Sequence, residues 1–214
     1  VYDVSDEYDV FSVLGPKAGD VLETWTNQSV TGAGLYRHRL LQQGRILAAD
    51  MGFDVIVSRK ASQDILRDIV AAGAVSIDEE TWNVLRTEAG LRMYGVDIDE
   101  TTTMPELGQR GISYDKGCYI GQEVVARIKY IGHVNRRFVG FVCEGSAVPG
   151  IRSAVQMQGK EVGYVTTAVF SPGLGRSIAL GFVSRVAAEP GTPVTLVGKE
   201  ASIPARVASL PFEL

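Results

Sequence analysis

RRFVGFVCEGSAVPG, residues 136–150, is where the texture of the chain changes, and its reading sets the fold. Within RFVGFVC, Val139, Phe141 and Cys143 fall on one face and Phe138, Gly140 and Val142 on the other. That period of two is a strand, and the face with Cys143 reads as core. GS and VPG then break the run. The alternation of β-rich run and turn continues through AVQMQ, EVGYVTTAV, SIALGFV, PVTLV and IPARVAS, punctuated by QGK, SPGLG, EPG and VGKE. Regular spacing of this kind predicts a small antiparallel barrel or sandwich over 136–214.

Upstream of 135 the pattern is mixed. DVFSVL (9–14) reads as a buried strand stopped by Gly15-Pro16, and KAGDVLETWT (17–26) as a short helix. GRILAAD (44–50) and FDVIVS (53–58) suit a hairpin about Met51-Gly52. A helix over 63–72 follows, capped by Ser58 or Ser62 and ended by Gly73. Asp78-Glu79-Glu80 lead a second helix to Gly90, with acids well placed at its positive end. Residues 95–115 read as a long loop, a class often tied to function, and a third helix is expected over 120–129. The class is α+β: one domain over 1–135 and a barrel over 136–214. The sequence opens without methionine and almost directly in a strand pattern, so an upstream portion is expected to be missing from the first domain.

With 214 residues, 45% hydrophobic and 21% charged, the chain has the profile of a soluble globular protein. A net charge of −4 argues against general nucleic-acid binding. Two cysteines form neither a disulfide framework nor a C-x-x-C metal pair, and no metal site is expected. No apolar run of bilayer length is present, no membrane contact is expected, and a cytoplasmic location is the default.

Three places could carry chemistry. Cys118 follows Lys116-Gly117 just before a helix start, where a thiol can be activated; Glu123 opposes this, and a small buried packing residue is the plain alternative. With only His38 and His133 in the chain, a Cys–His hydrolase has little support. Glu88 shares a helical stripe with Val84 and Leu91, where a carboxylate needs a partner. That partner is either Arg92, four residues on, or a ligand with two parallel N–H donors such as a pterin. Arg127, Lys129, His133, Arg136 and Arg137 form either a solvated basic face or an anion site, with Tyr119 and Tyr130 as candidate aromatic walls.

RTEAGLRMYGVDID (86–99), KGCYIGQE (116–123), RRFVGFVCEG (136–145) and SPGLGRSIALGFV (171–183) together resemble the superfamily uniting the glycine-cleavage aminomethyltransferase (T-protein) with YgfZ-type folate-binding proteins. The K-G-C-Y-x-G-Q-E motif, Lys116 through Glu123 with Gly121 and Gln122, resembles the YgfZ branch. The resemblance implies a ferredoxin-like folate-binding body followed by a barrel, with tetrahydrofolate as the cofactor. It implies that Glu88 holds the pterin, that Arg136 or Arg137 approaches the ligand, and that Cys118 is a functional thiol. The function it implies is an accessory protein for iron–sulfur enzymes, with iron–sulfur clients as partners. Its alternative is folate-dependent aminomethyl transfer, for which the family's catalytic aspartate has no counterpart among these residues. The resemblance accommodates either a binding protein without turnover or a folate-dependent one-carbon transferase.

Overall fold

The computed structural model describes residues 2–32, 34–108, 111–130, 132–199 and 201–213. Two compact units part between Ile77 and Asp78.

In the first unit, β1 (Tyr8–Leu14), β2 (His38–Leu41), β3 (Gly44–Ala49) and β4 (Gly52–Ser58) form an antiparallel sheet of order β1-β4-β3-β2. The hairpin about Met51-Gly52 joins β3 to β4 as expected. Alternation sends Val13, Ile46, Val55 and Val57 to one face, where α1 (Ala18–Thr26) and α2 (Ser62–Ala71) supply Leu22, Ile65 and Ile69 to a shared core. One strand lies outside the sequence reading, and one expectation needs correction. Strand β2 was not foreseen, because HRLL is short and largely exposed and gives no alternation. Neither Ser58 nor Ser62 caps α2: Ala61 stands at the cap, after a 3₁₀ turn over Arg59–Ala61, and Ser62 is the buried first helical residue.

In the second unit all six β-rich runs form strands: β5 (Arg136–Cys143), β6 (Ala154–Met157), β7 (Lys160–Ser171), β8 (Arg176–Ser184), β9 (Pro193–Val197) and β10 (Ser202–Ala208). They close into an antiparallel barrel of order β10-β5-β8-β7-β6-β9. Val139, Phe141 and Cys143 do face the core, with Val155, Val165, Val183, Leu196 and Val207. Burial raises the Cys143 thiol pKa to about 11, so it stays protonated. The run SIALGFV lacks alternation because both faces of β8 are covered. Ile178 and Leu180 form an outer cluster with Val169 and Phe212, against which Val84 packs. Gly181 lets β8 pass close to β7: a Cβ there would lie 2.2 Å from the Tyr164 carbonyl oxygen.

Also in this unit are α3 (Glu79–Glu88) and α4 (Gln122–Tyr130). The loop expected over 95–115 holds a 3₁₀ turn, Met104–Leu107; its residues 109 and 110 lie outside the described ones.

Candidate functional site

Helix α3 starts where Asp78 accepts a hydrogen bond from the Thr81 N–H at 2.8 Å, with Glu79 and Glu80 in its first turn. It stops at Gly90, whose φ of +68° is the left-handed conformation of a helix terminator. A Cβ there would also press on Leu210 at 2.7 Å. The glycine of R-x-E-x-G therefore serves both the turn and the close packing of Leu210.

The charges of this motif are buried and internally paired. Arg86 donates from Nη1 to Asp97 Oδ2 at 2.7 Å, from Nε to Asn83 Oδ1 at 2.8 Å, and from Nη2 to Thr167 Oγ1 at 3.0 Å. Asp97 Oδ1 accepts from Thr166 Oγ1 at 2.5 Å and Thr167 Oγ1 at 2.7 Å, while Oδ2 also takes the Met93 N–H. This knot ties α3 and the following loop to the irregular register of β7. Sequence reasoning missed it, because Asp97 lies eleven residues beyond Arg86 at no helical spacing.

Glu88 is buried, as its stripe suggests, but its protein partner is not Arg92. Its Oε1 accepts from Ser171 Oγ at 2.6 Å, and Ser171 Oγ in turn accepts the Leu174 N–H. Two of the quoted motifs thus meet at one hydrogen bond. Oε2 accepts none among the described residues. Arg92 instead donates to the Leu107 carbonyl at 3.2 Å and lies over the Phe138 ring.

Next to this joint is a cavity of about 680 Å³. Leu91, Leu107, Phe138, Tyr114 and Leu210 supply apolar and aromatic wall; Arg92, Lys129, His133, Arg137 and Arg185 supply cationic or basic groups. Glu106 is its single acid among the described residues. Ala89 and Gly90, the residues after Glu88, line it as well, whereas Glu88 does not.

The two adjacent arginines are separated by strand geometry, since neighbours on a strand point to opposite faces. Arg137 lines the cavity and has no ion pair among the described residues. Arg136 turns away. It grips Glu106 with Nε and Nη2 at 2.9 and 3.3 Å, donates to Tyr164 Oη at 3.0 Å, and lies over the Phe182 ring. Hydrogen bonding to Glu106 pushes its pKa further above the ordinary arginine value.

The K-G-C-Y-x-G-Q-E residues lie elsewhere. Cys118 is solvent-exposed. Lys116 Nζ sits 4.6 Å from the Tyr119 ring centroid, and Gln122 Oε1 accepts the Tyr119 N–H at 3.4 Å. Gly117 is exposed, Gly121 takes φ +86°, and Glu123 pairs with Arg127 at 2.9 Å across the surface of α4. None of them lines the cavity. Of the basic run, Arg127 and Arg136 have acid partners, while Lys129, His133 and Arg137 reach the cavity. Lys129 Nζ stands 3.6 Å from the Tyr114 ring centroid; Tyr130, also beside Lys129, lies outside the lining. Tyr114, Glu106 and Arg185 escaped sequence reasoning because only the fold brings them to one wall.

The model for the glycine cleavage T-protein C-terminal barrel domain matches residues 136–212, and that for the GCVT N-terminal domain matches residues 1–113. The chain belongs to the glycine cleavage T-protein family. Among its T-protein relatives, an aminomethyltransferase of Rippkaea orientalis is 30% identical over 98% of this chain and 59% of its own length. One of Halothermothrix orenii is 27% identical over 99% of this chain and 63% of its own. The chain thus spans about three-fifths of these relatives. The crystal structure of the glycine cleavage system aminomethyltransferase T from Bartonella henselae superposes with a TM-score of 0.82 at 21% identity, over 93% of this chain and 58% of that one, a likeness of fold. No helix among the described residues is long and apolar enough to cross a membrane, and no group of three His, Cys, Asp or Glu among them is arranged to hold a metal.

Proposed function

We propose that this chain is the folate-handling portion of an aminomethyltransferase-type protein and that its cavity takes tetrahydrofolate. The observation that carries the reading is the composition of that cavity. Its volume falls within the range of about 300–1,000 Å³ usual for small-molecule sites. Apolar and aromatic wall beside several cations suits a ligand that is a flat heterocycle at one end and a carboxylate at the other.

Arg137 is the cation assigned to the ligand's acid end. Glu88 is not on the cavity wall, so the heterocycle is assigned to the apolar and aromatic side chains Leu91, Tyr114 and Phe138. Tetrahydrofolate, when bound, supplies the one-carbon acceptor; the protein binds and orients it. The relatives named aminomethyltransferase support this class of transfer.

A second reading rests on one observation, the exposure of Cys118. A reachable thiol in the K-G-C-Y-x-G-Q-E setting fits a YgfZ-type accessory protein acting on iron–sulfur clients. The relatives favour the first reading.

Calorimetric titration with tetrahydrofolate tests the binding shared by both. Saturable heat is expected, with about 2.7 kcal/mol of added stability at a hundredfold excess over Kd. An absence of both heat and stabilisation would remove the folate reading. Transfer from an aminomethylated donor, undiminished in Cys118→Ser, selects the first reading; loss of cellular iron–sulfur enzyme activity in that variant selects the second.

A further inference from the structure

The cavity poses an electrostatic question. Its single acid among the described residues, Glu106, stands on the same wall system as Lys129, Arg137 and Arg185. An unpaired carboxylate there would repel an anionic ligand and compete for those cations. Arg136 prevents this from behind, because it is not a lining residue yet holds both Glu106 oxygens. Its own place is fixed twice, by the Tyr164 hydroxyl and by the Phe182 ring. Glu106 is fixed too, accepting the Thr103 N–H at 2.9 Å in a capping box that shapes the Met104–Leu107 turn. The result is a wall in which the acid is spoken for and the cations are not offset by it.

We propose that Arg136 is a positioning residue that sets the cavity's preference for anionic ligands by neutralising Glu106, while Arg137 makes the ligand contact. This rests on the folate reading only for the identity of the anion. The adjacent arginines thus have separable roles, one acting through Glu106 and one on the ligand.

The test uses the full chain and three probes: folinic acid, the neutral pterin tetrahydrobiopterin, and anilinonaphthalene sulfonate as an apolar anion unrelated to folate. Arg137→Gln is expected to weaken folinic acid binding about tenfold with the unfolding temperature unchanged. Arg136→Met exposes Glu106 and is expected to weaken binding of both anions by about tenfold or more, leaving tetrahydrobiopterin unaffected. The double variant Arg136→Met with Glu106→Gln is expected to recover the anions to within about threefold of the parent, although the brace is gone. Glu106→Gln alone, which keeps a hydrogen bond to Arg136, is expected to bind the anions at least as well as the parent.

Equal losses for all three probes in both Arg136 variants would show a simple brace and overturn the proposal. Weaker anion binding by Glu106→Gln would overturn it as well, even if Arg136→Met fails to fold. Should the parent bind the sulfonate with this order of variants yet ignore folinic acid, the folate reading falls and the charge-setting role stands.

Discussion

Arg86, Glu88 and Asp97 lie out of contact with bulk water, and each has a partner within hydrogen-bonding distance. In residues 111–130, by contrast, no side chain is buried: Cys118 is open to solvent, Ile120 is fully exposed, and the Glu123–Arg127 pair sits on the surface of α4. Both stretches carry motifs of the same family resemblance. The first spends its charges on holding α3 to the barrel, so its chemistry is largely structural. The second holds few contacts within its unit and keeps its functional groups available. A motif residue is therefore not a ligand contact by virtue of being in a motif; burial and partners decide which it is.

That contrast can be broken at its strong end first. Arg86→Met leaves Asp97 as an uncompensated buried carboxylate, and the expected loss is about 3–5 kcal/mol in chemical denaturation. A loss below about 1 kcal/mol would mean that water reaches Asp97.

Glu23 sharpens the comparison, being a half-buried acid that is highly organised. The N–H groups of Thr31 and Val30 and the hydroxyls of Thr31 and Ser29 all donate to its Oε1. These bonds, the Thr31 N–H foremost, lower its pKa from 4.5 to about 2. Because the folded-state value is depressed, the contribution is complete above about 4.5 and is lost as pH falls toward about 2. Amide exchange at Val30 and Thr31 is expected to accelerate across that window, and Glu23→Gln to abolish the pH step.

The smallest effect is expected at Cys118. Cys118→Ser should change stability by no more than about 0.5 kcal/mol, as is usual for exposed positions. A maleimide should label Cys118 in the native protein and reach Cys143 only on unfolding. Labelling of both in the native state would place the barrel core within reach of solvent.

Much of the fold was legible because its signals are local. Six short runs bounded by Gly- and Pro-rich turns became six strands, and the face of β5 bearing Cys143 is the barrel interior. Strand β2 gives no sequence signal, being too short and exposed to show a period, and the α2 cap expected at Ser58 or Ser62 is displaced by a 3₁₀ turn. At the site, the basic run was visible, but its division was not. Period-two geometry shows that Arg136 and Arg137 must diverge; only Glu106, thirty residues upstream, determines which of them is consumed.

The sequence by itself determined the barrel's turns and strand faces, since these follow from spacing along the backbone. Tertiary structure alone decided that Glu88 meets Ser171, that Arg86 meets Asp97, and that Tyr114, Lys129, Arg137 and Arg185 share one cavity. Those pairings join residues far apart in the chain, and a charge selects its partner only after packing has excluded water and fixed which groups lie within reach.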